Sequence, residues 1–498
     1  MGIEMDELEY TVNPDSIRKA VQSGIPLDIT TYTLPHDMEV KISQTIASFL
    51  DAVGMQKIKD YVGYCISELA VNAKKANTKR VYFAEKGYDI NNPSDYKAGM
   101  ASFKKDTIAN LPHYLQLQKD QGLYIKVVMR QSKELLFFEV SNNVQISRIE
   151  QVRIYEKLTR SRQYNSMEDA FGQIMDDSEG AGLGIVVMVL MLKKMGLDED
   201  CFNIEGVDGK TIAKLVIPMD QTKVKTVTAL TQTIVKDIDS LPQFPQNIIS
   251  VQKLLEDPKS EMSDIARLVS TDPAMTADIL KLVNSAQYAQ VKRVNNIAEA
   301  ATILGIKGIK NLLYSYGTQK ILGDESEEQK KLWEHSYKTA FYAYNVVKNF
   351  SKNRAILDDV YVVGMLHDMG KIVFSKSQPE LINKIKSLCE EKTLSQITLE
   401  NLSAGMNHAE IGALIAEKWN FPAAIVTVIR FHHDPLSAPP EFIDLVGAVY
   451  IANMMCLLEE GFVIEEQFNS TVLARFGLSK SQLKTIQRKF TEGFKQKR

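Results

Sequence analysis

The stretch "GMLHDMGKIVF" (364–374) sets a histidine beside an aspartate inside an apolar run, followed at once by glycine and lysine. Neighbouring positions on a regular helix point about 100° apart. His367 and Asp368 therefore converge on one ion only where the helix loosens, and Gly370 is expected to supply that freedom. Lys371 adds a cation able to meet a phosphate. The chain of 498 residues has 7 histidines, and His335, His367, His408, His432 and His433 all fall in its last third. Leu332, His335, Thr339, Ala343 and Val346 form one helical stripe, so His335 faces a core. Ile425, Val428, Ile429 and His432 do the same, and Ile443, Val446, Tyr450, Asn453 and Leu457 place an amide on a third stripe. Polar groups on several apolar stripes are costly to bury unless they meet one another. A shared polar site inside a helical bundle, of the kind divalent metals occupy with imidazole and carboxylate ligands, is the economical reading.

Outward from this stretch, the second half is punctuated as helices. Asp272 with Pro273 opens one in which Met275, Ile279, Leu282 and Ala286 form a stripe. Asn296 with Glu299, and Asn407 with Glu410, read as capping boxes, and Gly305 as a helix end. The first half differs. "LYIKVVMR" (123–130) and "ELLFFEVS" (134–141) read as a hairpin, and "TIAKLVIP" (211–218) as a further strand. The segment 220–240 reads as a connecting helix. Length alone calls for two to four domains. The formal net charge of −3 gives no reason to expect nucleic-acid binding. Cys65, Cys201, Cys389 and Cys456 lie far apart, as expected of reduced thiols. The acidic start and the shortness of "IVVMVLML" (185–192) argue against a signal peptide and a membrane span. A soluble, cytoplasmic protein is expected.

The order His335, His367-Asp368, His408, His432-His433 resembles the ligand order of HD-type phosphohydrolases, with Asn453 where that family has its closing aspartate. The "GYP" of the HD-GYP branch is absent, since "HHDPLSAPP" (432–440) follows instead. "LPQFPQNIISVQKLLEDPKSEMSDIARLVSTDPAMTADILKLVNSAQY" (241–288) and "VNNIAEAATILGIKGIKNLL" (294–313) look like the opening of an HDOD domain, a helical relative of HD hydrolases. That resemblance implies a signalling output that mostly lacks catalysis. The implied metal ligands are His335, His367, Asp368, His408, His432, His433 and Asn453, for a divalent ion such as Fe, Mn, Zn or Mg. Lys371 would contact phosphate if the site were active. Replacing an anionic ligand by the Asn453 amide should weaken metal binding.

In the first half, Glu68 and Asn72 lie at i and i+4 on one helix face. "EGAGLGIVVMVLMLKKMG" (179–196) sets glycines before an apolar helix, where backbone amides suit an anion. In this order around a hairpin they resemble the GHKL ATP-binding fold. The resemblance implies Mg²⁺ binding by Asn72, an orienting role for Glu68, and a phosphate loop at Gly180, Gly182, Leu183 and Gly184. The family's adenine-binding aspartate is missing; Asn142 stands nearest, and its carbonyl can accept the same hydrogen bond. His36 and His113, beside prolines, read as surface residues in loops.

The expected architecture is a GHKL-like α/β sandwich with a mixed sheet (36–220) after an N-terminal segment (1–35). A connecting helix (221–240), an all-α HDOD bundle (241–457) and a helical tail (458–498) follow. The leading reading is a signalling protein that couples a nucleotide-binding module, with ATP and Mg²⁺, to a non-catalytic output acting on a protein partner. The alternative is a metal-dependent phosphohydrolase acting on a nucleotide or cyclic dinucleotide. An ATP-driven protein kinase ranks last.

Overall fold

A computed structural model of the chain describes residues 13–164, 170, 183–220, 229–245, 248–251, 254, 262–283, 294–323, 326–392 and 395–496. The chain divides into two compact units, Met1–Thr226 and Val227–Arg498.

The first unit is built on one sheet of β1 (Leu27–Thr31), β2 (Ile125–Ser132), β3 (Leu135–Asn142), β4 (Phe202–Val207) and β5 (Lys210–Pro218), in the order β1-β2-β3-β5-β4. Every pairing is antiparallel, so the mixed sheet expected from the sequence is corrected. Alternation explains the single buried face. Ile125, Val127 and Met129 of β2, Leu136, Phe138 and Val140 of β3, and Ala213, Leu215 and Ile217 of β5 all point into the core. The β4–β5 hairpin turns on Asp208 and Gly209, both at positive φ (50° and 76°), the conformation that favours Asp-Gly in a two-residue turn.

Helices His36–Ala52, Lys59–Lys86 and Leu183–Lys194 belong to the same core. Phe49 meets Phe138 edge-on with ring centroids 5.7 Å apart, and the Cys65 thiol faces the Met188 carbonyl. Leu183–Lys194 is apolar all round because it is enclosed, with Val187, Met188, Val189 and Leu192 fully buried. Its last turn carries Lys193, whose ammonium donates to the carbonyls of Ser161, Arg162 and Tyr164 and so closes the end of helix Arg148–Ser161. Helices Pro93–Ala109 and Leu111–Asp120 bring Tyr96, Phe103 and Tyr114 onto Tyr82 and Phe83. His36 and His113 both sit on helices rather than in loops. Pro35 and Pro112 start those helices, where a missing N–H is tolerated.

Glu150 ties the first unit together electrostatically. Its carboxylate accepts from Lys79 at 2.8 Å and from Arg80 at 2.8 Å. Burial alone would raise its pKa, but the two cations bring it down from 4.5 to about 2. A group whose folded pKa is depressed stabilises fully above its unfolded value and loses that contribution as pH falls through the folded one. The shift corresponds to roughly 3 kcal/mol. Amide exchange protection of β2 and β3 is therefore expected to fall between pH 4.5 and 2, and Glu150→Gln should weaken it already at pH 7. Equal protection in the two proteins at pH 7 would contradict this.

The regular elements among the described residues of the second unit are all helices, with no strand. Helix Ala229–Ser240, which the sequence assigns to a connector, packs here: Thr231 Oγ1 donates to Ala404 O, and Lys418 donates to the carbonyls of Ile238, Asp239 and Leu241. Trp419 Nε1 donates to Pro242 O, and Phe244 nests among Tyr314, Trp419 and Phe421. Asp272 Oδ1 accepts from the Met275 amide at 3.0 Å, capping helix Pro273–Val283. Met275 and Ile279 are buried; the side chain of Leu282, and Ala286, lie outside the described residues. Gly305, at φ 68° and ψ 176°, interrupts Ile297–Leu322.

The helices that carry the polar cluster follow in order: Glu327–Phe350, Leu357–Leu366, Met369–Ser377, Gln396–Ala404, His408–Lys418, Ala423–Phe431 and Ile443–Glu460. The basic tail forms helix Leu483–Gln496 and docks on the first and last of these. Thr491 Oγ1 and the Tyr342 hydroxyl both donate to Glu459, at 2.8 and 2.7 Å, while Phe490 packs on Tyr342 and Phe494 on Phe341.

Candidate metal centre

The quoted stretch does loosen, at Asp368 itself. Helix Leu357–Leu366 ends with His367 still helical; Asp368 leaves the helical region at φ −102° and ψ 11°, and Met369–Ser377 starts anew. Gly370 is not the flexible point the sequence suggested. It sits inside the second helix, and a Cβ there would fall on the His408 carbonyl oxygen and 2.6 Å from the Gly412 nitrogen. Its bare backbone lets Met369–Ser377 touch His408–Lys418. Gly364 serves likewise, since a Cβ there would lie 2.8 Å from Ala340 Cα. These two glycines bring the helices of His335, His367 and His408 close enough to share a pocket.

Asp368, fully buried, is the centre of that pocket. Its Oδ2 lies 2.7 Å from Lys371 Nζ, 3.3 Å from His367 Nε2 and 3.7 Å from His335 Nε2. Its Oδ1 lies 3.3 Å from His408 Nε2 and 3.4 Å from His432 Nε2. His408 Nε2 and His433 Nε2 are 3.0 Å apart. His335 Nε2 meets Asn453 Oδ1 at 3.1 Å. The expected ligands thus converge as two donor groups sharing Asp368: His335 and His367 on one side, His408, His432 and His433 on the other.

Outer hydrogen bonds fix which ring nitrogen faces inward. His367 Nδ1 donates to Gly364 O and His432 Nδ1 to Ile429 O, each at 2.7 Å, so the Nε2 atom is the one each ring turns toward Asp368. Among the described residues, His367 Nε2, His432 Nε2 and Asp368 Oδ1 are buried without a hydrogen-bond partner. Lone pairs facing lone pairs in a buried space are unfavourable by themselves and complementary to a cation. Burial pushes His335 down to about 3 and His432 to about 4, against the pull of Asp368, which keeps both rings neutral at pH 7. Burial would raise Asp368, yet His367 and Lys371 hold it well below the usual carboxylate range. Imidazole nitrogens free of protons beside an ionised carboxylate are the donor state a divalent metal requires, and His335 and His432 supply it next to Asp368.

The sequence reading missed Glu400. It is fully buried on Gln396–Ala404, and its Oε2 accepts from His408 Nδ1 at 2.7 Å and from the His408 amide at 2.9 Å. The only signal was an acid set among apolar residues in "TLENLSA" (398–404). Burial opposes its ionised form, but His408 keeps its pKa lowered, while Glu400 in turn raises that of His408. A carboxylate behind a ligating histidine orients the ring and strengthens it as a donor. Glu400→Gln is expected to weaken Zn²⁺ binding about 10- to 100-fold by calorimetric titration; unchanged affinity would exclude that role.

In the first unit, Asn72 Nδ2 donates to Glu68 Oε1 at 3.0 Å. Gly184 abuts this acid, since a Cβ there would lie 2.8 Å from Glu68 Cγ. Burial lifts the Glu68 carboxyl above its usual range, against Lys75 and Asn72. Asn142 is buried and its Nδ2 donates to Asn77 Oδ1 at 2.8 Å. Gly180, Gly182 and the Leu183 side chain lie outside the described residues. No described helix is long and apolar enough to cross a membrane.

Comparison with known proteins bears on the whole chain. An uncharacterized protein of Treponema pallidum (strain Nichols) is 40% identical over 494 residues, spanning 99% of this chain and 96% of that protein. A solved HDOD domain protein of unknown function from Geobacter sulfurreducens is 21% identical, with a TM-score of 0.42, over 53% of this chain and 97% of that one. A structure from Shewanella amazonensis SB2B, named provisionally as a phosphohydrolase, matches at 21% and 0.42 over 53% and 98%. The HDOD domain model matches residues 241–435. The chain belongs to the family of the Treponema pallidum protein, and its residues 241–435 are an HDOD domain.

Proposed function

We propose that this is a signalling protein whose HDOD unit holds a divalent metal as part of a non-catalytic output and whose first unit binds a nucleotide in the GHKL manner. The observation that carries the output reading is the pairing of Lys371 with Asp368 Oδ2 at 2.7 Å, in a pocket where an amide stands at position 453. The ammonium meant to grip a phosphate in a hydrolase is spent on the one carboxylate among the candidate ligands. A bound metal would polarise groups in the pocket and lock the helices that supply its ligands. A change in that lock is what a protein partner would read. For the first unit, the support is the approach of Gly184 to Glu68 and the Glu68–Asn72 pair.

A second reading, metal-dependent phosphohydrolase, is favoured by the two donor groups that share one aspartate, the layout of a two-metal clamp. Metal analysis of protein purified without chelator, followed by a bis(p-nitrophenyl) phosphate assay, separates the two. Metal without turnover is expected. Turnover that His367→Ala abolishes would establish the hydrolase instead. Saturating ATP with Mg²⁺ at a hundredfold excess over its dissociation constant should stabilise the first unit by about 2.7 kcal/mol, and Asn72→Ala should remove the effect. No shift with ATP, ADP or GTP would leave that unit a scaffold.

A further inference from the structure

The two halves of the pocket are not equivalent. Around Asp368 Oδ1, the ligand atoms of His408 and His432 stand at 3.3 and 3.4 Å, and His433 stands 3.0 Å from His408. An ion with bonds of 2.0–2.2 Å in a tetrahedron holds its ligand atoms roughly 3.3–3.6 Å apart, and cis ligands of an octahedron lie closer. These three separations are of the length such a shell requires. Among the described residues, no hydrogen bond of ordinary geometry reaches Asp368 Oδ1 or His432 Nε2. Around Asp368 Oδ2, His367 Nε2 also lacks a partner, but the other groups are engaged. Lys371 Nζ already sits on that oxygen at 2.7 Å, and His335 Nε2 is engaged with Asn453 Oδ1 at 3.1 Å.

Charge separates the halves further. The His408 half has Asp368 as a ligand and Glu400 directly behind it, two anions to balance one dication. The His335 half has two imidazoles, a neutral amide and an ammonium, and no anion apart from the oxygen it shares with Lys371. Placing a second dication there would set it beside both the first ion and Lys371, with nothing to neutralise it in a desolvated space.

We propose that the pocket holds one divalent ion, in the half formed by Asp368 Oδ1, His408, His432 and His433, and that Lys371 replaces a second metal on Asp368 Oδ2. The assignment rests on the reading of this pocket as a metal centre. His433 is exposed while the other three ligands are buried, so the ion enters past His433.

The full-length protein saturated with Zn²⁺, desalted and analysed for metal tests this. The unaltered chain should retain one ion. His433→Ala should lose it, whereas His335→Ala should keep it. Lys371→Met combined with Asn453→Asp frees Oδ2 and restores an anion, and should raise the content from one ion to two, with circular dichroism confirming that each variant is folded. Two ions in the unaltered protein would overturn the proposal while leaving the metal reading intact. So would retention by His433→Ala with loss by His335→Ala, or a folded double variant that still binds one. Absence of zinc from the unaltered protein would instead overturn the metal reading on which the proposal stands.

Discussion

Asp368→Ala is expected to abolish metal retention by the second unit, lowering affinity by at least about a thousandfold. It supplies the anion that both donor groups share and lies within 3.7 Å of His335, His367, His408 and His432. An ion left with neutral rings alone would face desolvation with no ligand charge to offset it. The same change leaves the half-buried Lys371 ammonium without its carboxylate. Breaking a buried pair from one side costs about 3–5 kcal/mol, which sets the upper end of the stability loss because Lys371 keeps some solvent. Denaturation followed by tryptophan fluorescence reports this unit alone, since Trp333 and Trp419 both lie within it. Metal retained at unaltered affinity by Asp368→Ala would remove the aspartate from the centre of the site.

Gly370→Ala should be nearly as damaging, for a different reason. The added methyl would meet backbone, the His408 carbonyl and the Gly412 nitrogen, and neither can rotate away. Helices Met369–Ser377 and His408–Lys418 would have to part, which carries His408 away from Asp368. Overpacking of this kind costs about 3 kcal/mol. Gly184→Ala offers a control, because the atoms it meets belong to the Glu68 side chain, which can swing aside. A Gly370→Ala protein with full stability and full metal content would show that the close helix contact is not what builds the pocket.

How much of this was legible in the sequence varies with the physical basis of each signal. Stripes and caps are local, so the inward-facing His335, His432 and Asn453 could be read directly, and Asn407 and Glu410 form the expected capping box at the start of helix His408–Lys418; at Asn296 only half of the expected box forms, since its side chain accepts from the Glu299 amide while the Glu299 carboxylate turns to the Asn295 amide. The convergence of the rings on Asp368 could be anticipated from their number and spacing together with the cost of burying polar groups. Gly370 was misread because conformational freedom and absence of a side chain look the same in one letter, and only the neighbouring helix distinguishes them. Glu400 was invisible because its partner is 8 residues away across a loop, and an isolated acid carries no spacing signal. The short β1 and β4 were missed because sheet pairing, and not a strong local pattern, makes them strands. His36 and His113 were placed in loops because a proline marks a helix start as readily as a turn.

The most direct measurement of the central claim is an anomalous difference map, at the zinc edge, from crystals of the full chain saturated with zinc. The account predicts a peak bonded to Asp368 together with histidine Nε2 atoms contributed by separate helices. A map with no peak among these side chains, in protein whose rings instead contact one another or water, would contradict it.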